Sequence, residues 1–304
     1  MKLSVEFPSV AFREGAAKVR EMATAIESIG YDEIAVFDHV IMGHPTDTRP
    51  APTYPPKMPI LEAVVMMATI AAVTERVGIS TEVLVLPQRQ PTLVAKQVST
   101  IDTLSGGRVR LGVGVGWQES EYDALEEDFS NRGRRMDEAI DLMRAWWGED
   151  PVDFAGQHYT TTAMAMEPKP PQGGSLPIWI GGGSQAALRR VGQRGDGWMG
   201  TAMGDDDKIR QAIADIGRYA DEAGRDPDTI GLQLMLAPPP RNEAGKRFYA
   251  DHHGVVRRAE QIQAMGFEWT AVNATAIFQA GARSVDAMID ELGQIHDRLR
   301  TSVG

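Results

Sequence analysis

The 304 residues include no cysteine. That excludes disulfides, thiolate zinc sites and cysteine nucleophiles in one step. No apolar run approaches the ~18 residues a membrane span needs. Positive charge is in short supply: 31 Lys and Arg stand against 42 Asp and Glu, a net charge of −11. That balance argues against non-specific nucleic-acid binding, which needs a basic face. Residues 1–7 have no basic stretch leading into a long apolar run, so no secretory signal is expected. The expected setting is cytoplasmic, with a small molecule as partner and no membrane or nucleic acid. None of the six histidines has a metal spacing such as His-Glu-x-x-His, and no metal is expected.

What is present is a regular alternation. Short apolar stretches at 3–7, 34–37, 77–86, 108–115, 176–180, 196–199, 229–236 and 269–274 read as strands. Segments of helical periodicity follow each: 11–29, 61–74, 91–104, 132–147, 185–193, 205–223, 255–265 and 284–300. The first shows Ala16, Val19, Ala23 and Ile26 before Gly30, the glycine expected just past a helix end. Segment 61–74 is so apolar that it is expected to be well buried. Residues 42–59 carry prolines at 45, 50, 52, 55, 56 and 59, which bars a helix or central strand. Long excursions also occur at 151–174, read as a small hairpin, and at 237–254. Strict strand–helix alternation implies parallel strands, because each helix supplies a crossover. Eight units are the number in a closed (β/α)8 barrel, with a doubly wound open sheet as the alternative. The expectation is one domain over 1–304, with insertions after strands two and seven and before strand five.

The fourth strand carries glycine at every second position: Gly112, Gly114 and Gly116. One strand face is then bare. A dinucleotide loop needs glycines at offsets zero, two and five opening into a helix. Offset five from Gly112 is Trp117 and from Gly114 is Glu119, so that reading fails. Gly112 reads as relief of crowding inside the barrel. Gly114 and Gly116, nearer the mouth, read as room for a flat ligand, with Trp117 as a pocket wall.

Ligands of such barrels sit at the C-terminal strand ends. Gly181-Gly182-Gly183-Ser184 links strand five to a helix, where backbone N–H groups and the helix N-terminus suit a phosphate. The bland reading is a turn with Ser184 as a helix cap. Thr201, after strand six, would add a hydroxyl. Asp38-His39 follows strand two, and His39 is a candidate proton donor or acceptor. A plain capping pair is the alternative there.

Together these pieces resemble the luciferase-like monooxygenase superfamily. The resemblance rests on Val36-Phe-Asp-His39, Val83-Leu-Val-Leu-Pro87, Pro91 to Gln97, Asp102 to Val109, Gly112 to Glu121, Arg132-Gly133 with Asp137-Glu138, Pro177 to Gly182 and Asp196-Gly-Trp198. The resemblance implies a (β/α)8 barrel with its cofactor at the C-terminal mouth. It implies a bulge after strand three, often with a non-proline cis peptide, which would place Glu82-Val83 against the cofactor ring. It implies phosphate contacts at Gly181, Gly182 and Gly183, supported near Thr201, and Asp38 and His39 near ring and substrate. The Leu-Ser-Gly-Gly-Arg and Gly-Val-Gly-Trp phrases look like the branch using deazaflavin coenzyme F420. The implied reaction is hydride transfer to or from a small organic substrate. The alternatives are an FMN-dependent monooxygenase fed by a partner reductase, and a non-catalytic flavin- or deazaflavin-binding protein. A homodimer is expected by the same resemblance.

Overall fold

The first strand, β1 (Lys2–Glu6), pairs in parallel on both sides, with β2 (Glu33–Val36) and with the last strand, β11 (Trp269–Asn273). A strand with the chain's last strand as neighbour is the seam of a closed ring. In the computed structural model, which describes residues 1–51, 54–201, 205–237, 245 and 247–304, the ladder continues from β2 to β3 (Gly78–Thr81) and on to β5 (Val109–Gly114). From β5 it passes to β8 (Ile178–Gly181), β9 (Gly197–Gly200), β10 (Gly231–Met235) and back to β11. The short β4 (Leu84–Val85) also pairs with β5. β3 and β4 are two pieces of one stave, interrupted at a cis peptide between Glu82 and Val83. Counted so, eight parallel staves close a barrel.

The crossovers are α1 (Ala16–Ile29), α2 (Ala63–Val73), α3 (Pro91–Ser105), α5 (Arg132–Trp147), α6 (Gln185–Arg194), α7 (Asp206–Glu222), α8 (His252–Ala264) and α10 (Val285–Val303). Two short helices lie at the C-terminal strand ends, α4 (Glu119–Ala124) after β5 and α9 (Ala274–Ala280) after β11. The hairpin expected before strand five is present as antiparallel β6 (Val152–Ala155) and β7 (Thr160–Met164). The excursion after strand two has no helix or strand among its described residues, and most of the one after strand seven lies outside them. No helix among the described residues is long and apolar enough to cross a membrane.

Three expectations change. The helix read at 11–29 is a 3-10 turn (Ser9–Glu14) followed by α1, broken at Gly15. The strand read at 77–86 is cut at Glu82–Val83 and ends in a 3-10 turn over Leu86–Gln88. Helix α2, read as well buried, leaves Val65 64% exposed.

Alternation along the staves sorts the residues. β1 sends Leu3 and Val5 to the apolar core under the helices, and Ser4 and Glu6 to the opposite face. The N-terminal half of the barrel interior is filled by a polar plug. Arg110 donates to Glu33 at 2.7 Å and to Gln233 at 2.5 Å, while Ser4 and Ser80 donate to the same Glu33 carboxylate at 3.1 and 2.7 Å. The guanidinium lies 4.1 Å from the Trp179 ring and 4.3 Å from the Trp269 ring. Gly197 and Gly231 make room for Trp179: a Cβ at either would come within 2.3 and 2.4 Å of its ring. Within this plug the Arg110 and Glu33 charges neutralise one another.

Candidate active site

His39 stands just past the C-terminal end of β2 and is 6% exposed. Its Nδ1 lies 3.0 Å from Oε2 of Glu121, on α4. The other Glu121 oxygen accepts the backbone N–H groups of Val40 and Ile41, at 2.5 and 3.2 Å. Burial works against charge on this carboxylate, but the bonds from His39 and Val40 outweigh it and hold Glu121 below the usual carboxylate range. A carboxylate at Nδ1 fixes a neutral imidazole as the Nδ1–H tautomer, leaving Nε2 as the free base. Nε2 has no hydrogen bond among the described residues. The loop is fastened a second time by Gln118, whose amide donates to the Ile41 carbonyl at 2.8 Å. Gly116 makes the turn that brings α4 over this loop, with φ at +67°, a value that favours glycine.

Asp38 is beside His39 in sequence and has a different attachment. Arg89 grips both its oxygens, at 2.7 and 2.8 Å, and Oδ2 also accepts the Val85 N–H at 2.9 Å. Burial pushes its carboxyl up against the opposing pull of Arg89. The pair ties the end of β2 to β4.

Past the cis peptide, the Val83 side chain occupies the space that the strand glycines leave. A Cβ on Gly114 would meet it at 2.6 Å and one on Gly181 at 2.8 Å. A Cβ on Gly116 would meet Val85 at 2.7 Å. The bare strand face at Gly114 and Gly116, read from the sequence as room for a ligand, is filled by these two valines. Gly112 packs against the Thr81 carbonyl and Met199, as crowding inside the barrel requires.

At the end of β8 the Gly182 carbonyl accepts the Trp198 indole N–H at 2.8 Å, with φ at +109°. Ser184 caps α6 by accepting from the Ala187 N–H at 3.2 Å. The N–H groups of Gly183 and Ser184 have no acceptor among the described residues, and both residues are exposed. Thr201 is exposed directly after β9, whose Met199 pairs in register with Gly181. The chain thus gathers Gly181 to Ser184 and Thr201 on one side of the mouth and Asp38, His39 and Glu121 on another, with Val83 packed against Gly114 of the adjoining stave and Gly181 of the one beyond it.

Glu82 turns into the barrel. Burial pushes its carboxyl up to about 7, Glu33 adds to the rise, and the Gln233 amide and Arg110 oppose it. Its Oε2 is buried without a hydrogen-bond partner. Glu6, at the end of β1, accepts from the Asn273 amide at 2.9 Å and is also raised, chiefly by burial and then by Glu82. Among the described residues no group of three or more His, Asp or Glu is disposed to hold a metal.

The family model of the luciferase-like monooxygenases matches residues 5–288. The chain belongs to this family. An uncharacterized protein of Mycobacterium tuberculosis is 36% identical over 210 residues, 67% of this chain and 72% of that protein. An F420-dependent glucose-6-phosphate dehydrogenase of Nocardia farcinica is 33% identical over 244 residues, 77% of this chain and 68% of that enzyme. An FMNH2-dependent dimethylsulfone monooxygenase of Pseudomonas putida is 28% identical over 246 residues, 80% and 66% of the two chains. Among solved structures, an F420-dependent secondary alcohol dehydrogenase superposes with a TM-score of 0.79 at 20% identity, covering 98% of this chain and 99% of that one. The chain is accordingly an oxidoreductase of the luciferase-like family with the family's barrel.

Three side chains of the site had no role in the sequence reading. Glu121 lies inside the matched phrase 112–121 but 82 residues from His39, and nothing local links them. Arg89, and Tyr54, whose ring centroid lies 5.7 Å from that of His39, sit in loops without a motif. An acidic residue two positions into a helix that follows a glycine-rich strand end is the one signal that would have marked Glu121.

Proposed function

We propose that this oxidoreductase moves a hydride between coenzyme F420 and a small organic substrate, with His39 carrying the proton. The carrying observation is the Nδ1 bond from His39 to Glu121, which leaves Nε2 for substrate. Support for the cofactor comes from the Nocardia relative, whose name records F420. The residues present fit a flat, phosphate-bearing group. Exposed glycine N–H groups meet the start of α6, where the helix dipole favours an anion, and Val83 offers an apolar side chain at the mouth. In this reading Gly181, Gly182, Gly183, Ser184 and Thr201 hold the phosphate, while Val83 backs the ring, seated in the space left by Gly114, with Gly116 making room for Val85 and Glu82 beneath.

A bound deazaflavin supplies two-electron hydride chemistry without activating oxygen. The protein residues orient and move a proton. Glu121 holds the His39 ring and its tautomer, and Nε2 takes a proton from the substrate or returns it. Asp38 acts one step back, as the anchor that keeps Arg89, β4 and the start of the His39 loop in place.

The second reading is FMN with oxygen, favoured by the dimethylsulfone monooxygenase relative. Titrating the purified chain with F420 and with FMN, followed by absorbance and fluorescence, separates the two. Tight F420 binding with weak FMN binding is expected. The reverse order would replace the proposal with the second reading.

A further inference from the structure

His39 does not stand in a polar pocket. Its ring makes edge contacts with Tyr54 and Trp117, at centroid distances of 5.7 and 5.2 Å. Tyr54 and Trp117 are 6.0 Å apart, so the three rings form one triangle, and Phe37 joins it 6.3 Å from Tyr54. Trp117 is 44% exposed, and Val40 and Ile41, flanking His39 on its own loop, are 41% and 44% exposed. Large apolar groups left open around a catalytic candidate mark a binding surface rather than a core. The wall is rigid, because Glu121 and Gln118 hold the backbone of residues 40–43.

The buried charges next to this wall are already satisfied. Asp38 is closed by Arg89 and Val85, and Arg89 reaches Glu62 as well. Glu121 is closed by His39, Val40 and Ile41. Arg49, beside Gly43 and Ser120, is exposed and keeps its charge in water. A substrate anion on the aromatic wall would give up its water against apolar rings, and Arg49, exposed beside Gly43, offers it only a solvent-screened partner. That cost falls on the charge, while an uncharged body gains by covering the rings.

From this wall we infer that the substrate is an uncharged small molecule with an apolar or aromatic body and a single polar atom presented to His39 Nε2. Phosphorylated sugars and carboxylates are rejected by the same surface. The inference rests on the proposed role of His39 and deepens it.

The test is direct binding to the cofactor-loaded chain, read by tryptophan fluorescence and calorimetry, with probes of matched body and different charge. Benzyl alcohol is compared with benzoate, and glucose 6-phosphate serves as the sugar phosphate. Benzyl alcohol is expected to bind at least tenfold tighter than either anion. Trp117→Ala is expected to lose at least tenfold of that affinity, and Trp117→Phe to keep most of it. Benzoate or glucose 6-phosphate binding as tightly as the alcohol overturns the inference. So does unchanged affinity in Trp117→Ala, or no measurable alcohol binding at millimolar concentration. Cofactor titration beforehand reads the proposed function separately: a chain that binds FMN and not F420 fails that proposal, and the same probes still test the wall.

Discussion

His39 Nδ1 and Glu121 Oε2 are 3.0 Å apart, across 82 residues of chain. The contact joins the end of stave two to the short helix after β5. One carboxylate thereby orients an imidazole and pins the loop that carries it. If His39 moves the proton, His39→Ala is expected to lower kcat by about 10²–10⁴-fold while leaving cofactor Kd nearly unchanged. Glu121→Ala is expected to lower kcat by less, with Glu121→Gln recovering part because one amide oxygen still accepts. Steady-state kinetics with cofactor titration read both. A wild-type kcat in His39→Ala would remove the role.

Asp38 gives the opposite prediction. It is bound on both oxygens by Arg89 and on one by Val85 N–H. Removing one partner of a buried ion pair leaves the other uncompensated. Asp38→Asn is therefore expected to cost on the order of 3 kcal/mol of stability, with turnover of the remaining folded enzyme little affected. Thermal unfolding beside kcat tells a positioning residue from a catalytic one. A normal Tm with kcat lost would reverse the assignment.

The barrel was legible in the sequence because strand and helix periods alternate cleanly eight times, and that signal is local. The glycines of strand four were legible as a bare face, but what fills it was not. Val83 packs against Gly114 and Gly181, yet it reads locally as one more apolar strand residue. The polar plug was hidden for a related reason. Ser4, Glu33, Ser80, Arg110 and Gln233 are scattered over five staves, and only closure of the ring brings them together. Asp38 and His39 looked like one unit in sequence. Their side chains diverge, one to Arg89 and one to Glu121.

The packing of Val83 can be tested by crowding it and then relieving it. Gly114→Ala puts a methyl 2.6 Å from a Val83 methyl. Overpacking of this kind costs about 1–3 kcal/mol. Gly114→Ala is expected to lower Tm and weaken cofactor binding. Adding Val83→Ala frees the space and should restore Tm. A double variant no more stable than Gly114→Ala alone would mean that the glycine serves the ligand directly, not the valine.

Glu82 makes stability depend on pH in a definite direction. Its carboxyl is raised from 4.5 to about 7, mainly by burial, with Glu33, Glu6, Arg110 and Gln233 around it. The unfolded chain ionises this group near 4.5, whereas the folded chain keeps the proton until about 7. Between those values the unfolded state binds fewer protons, so stability falls as pH rises. The contribution is whole below about 4.5, declines through the interval, and is flat above about 7. Glu82→Gln removes the titration while keeping size and polarity. The variant is expected to gain steadily on the wild type between about pH 4.5 and about pH 7, as a Tm difference of several degrees that then stays constant. A difference that does not change over that range would show that the Glu82 carboxyl ionises as it does in water.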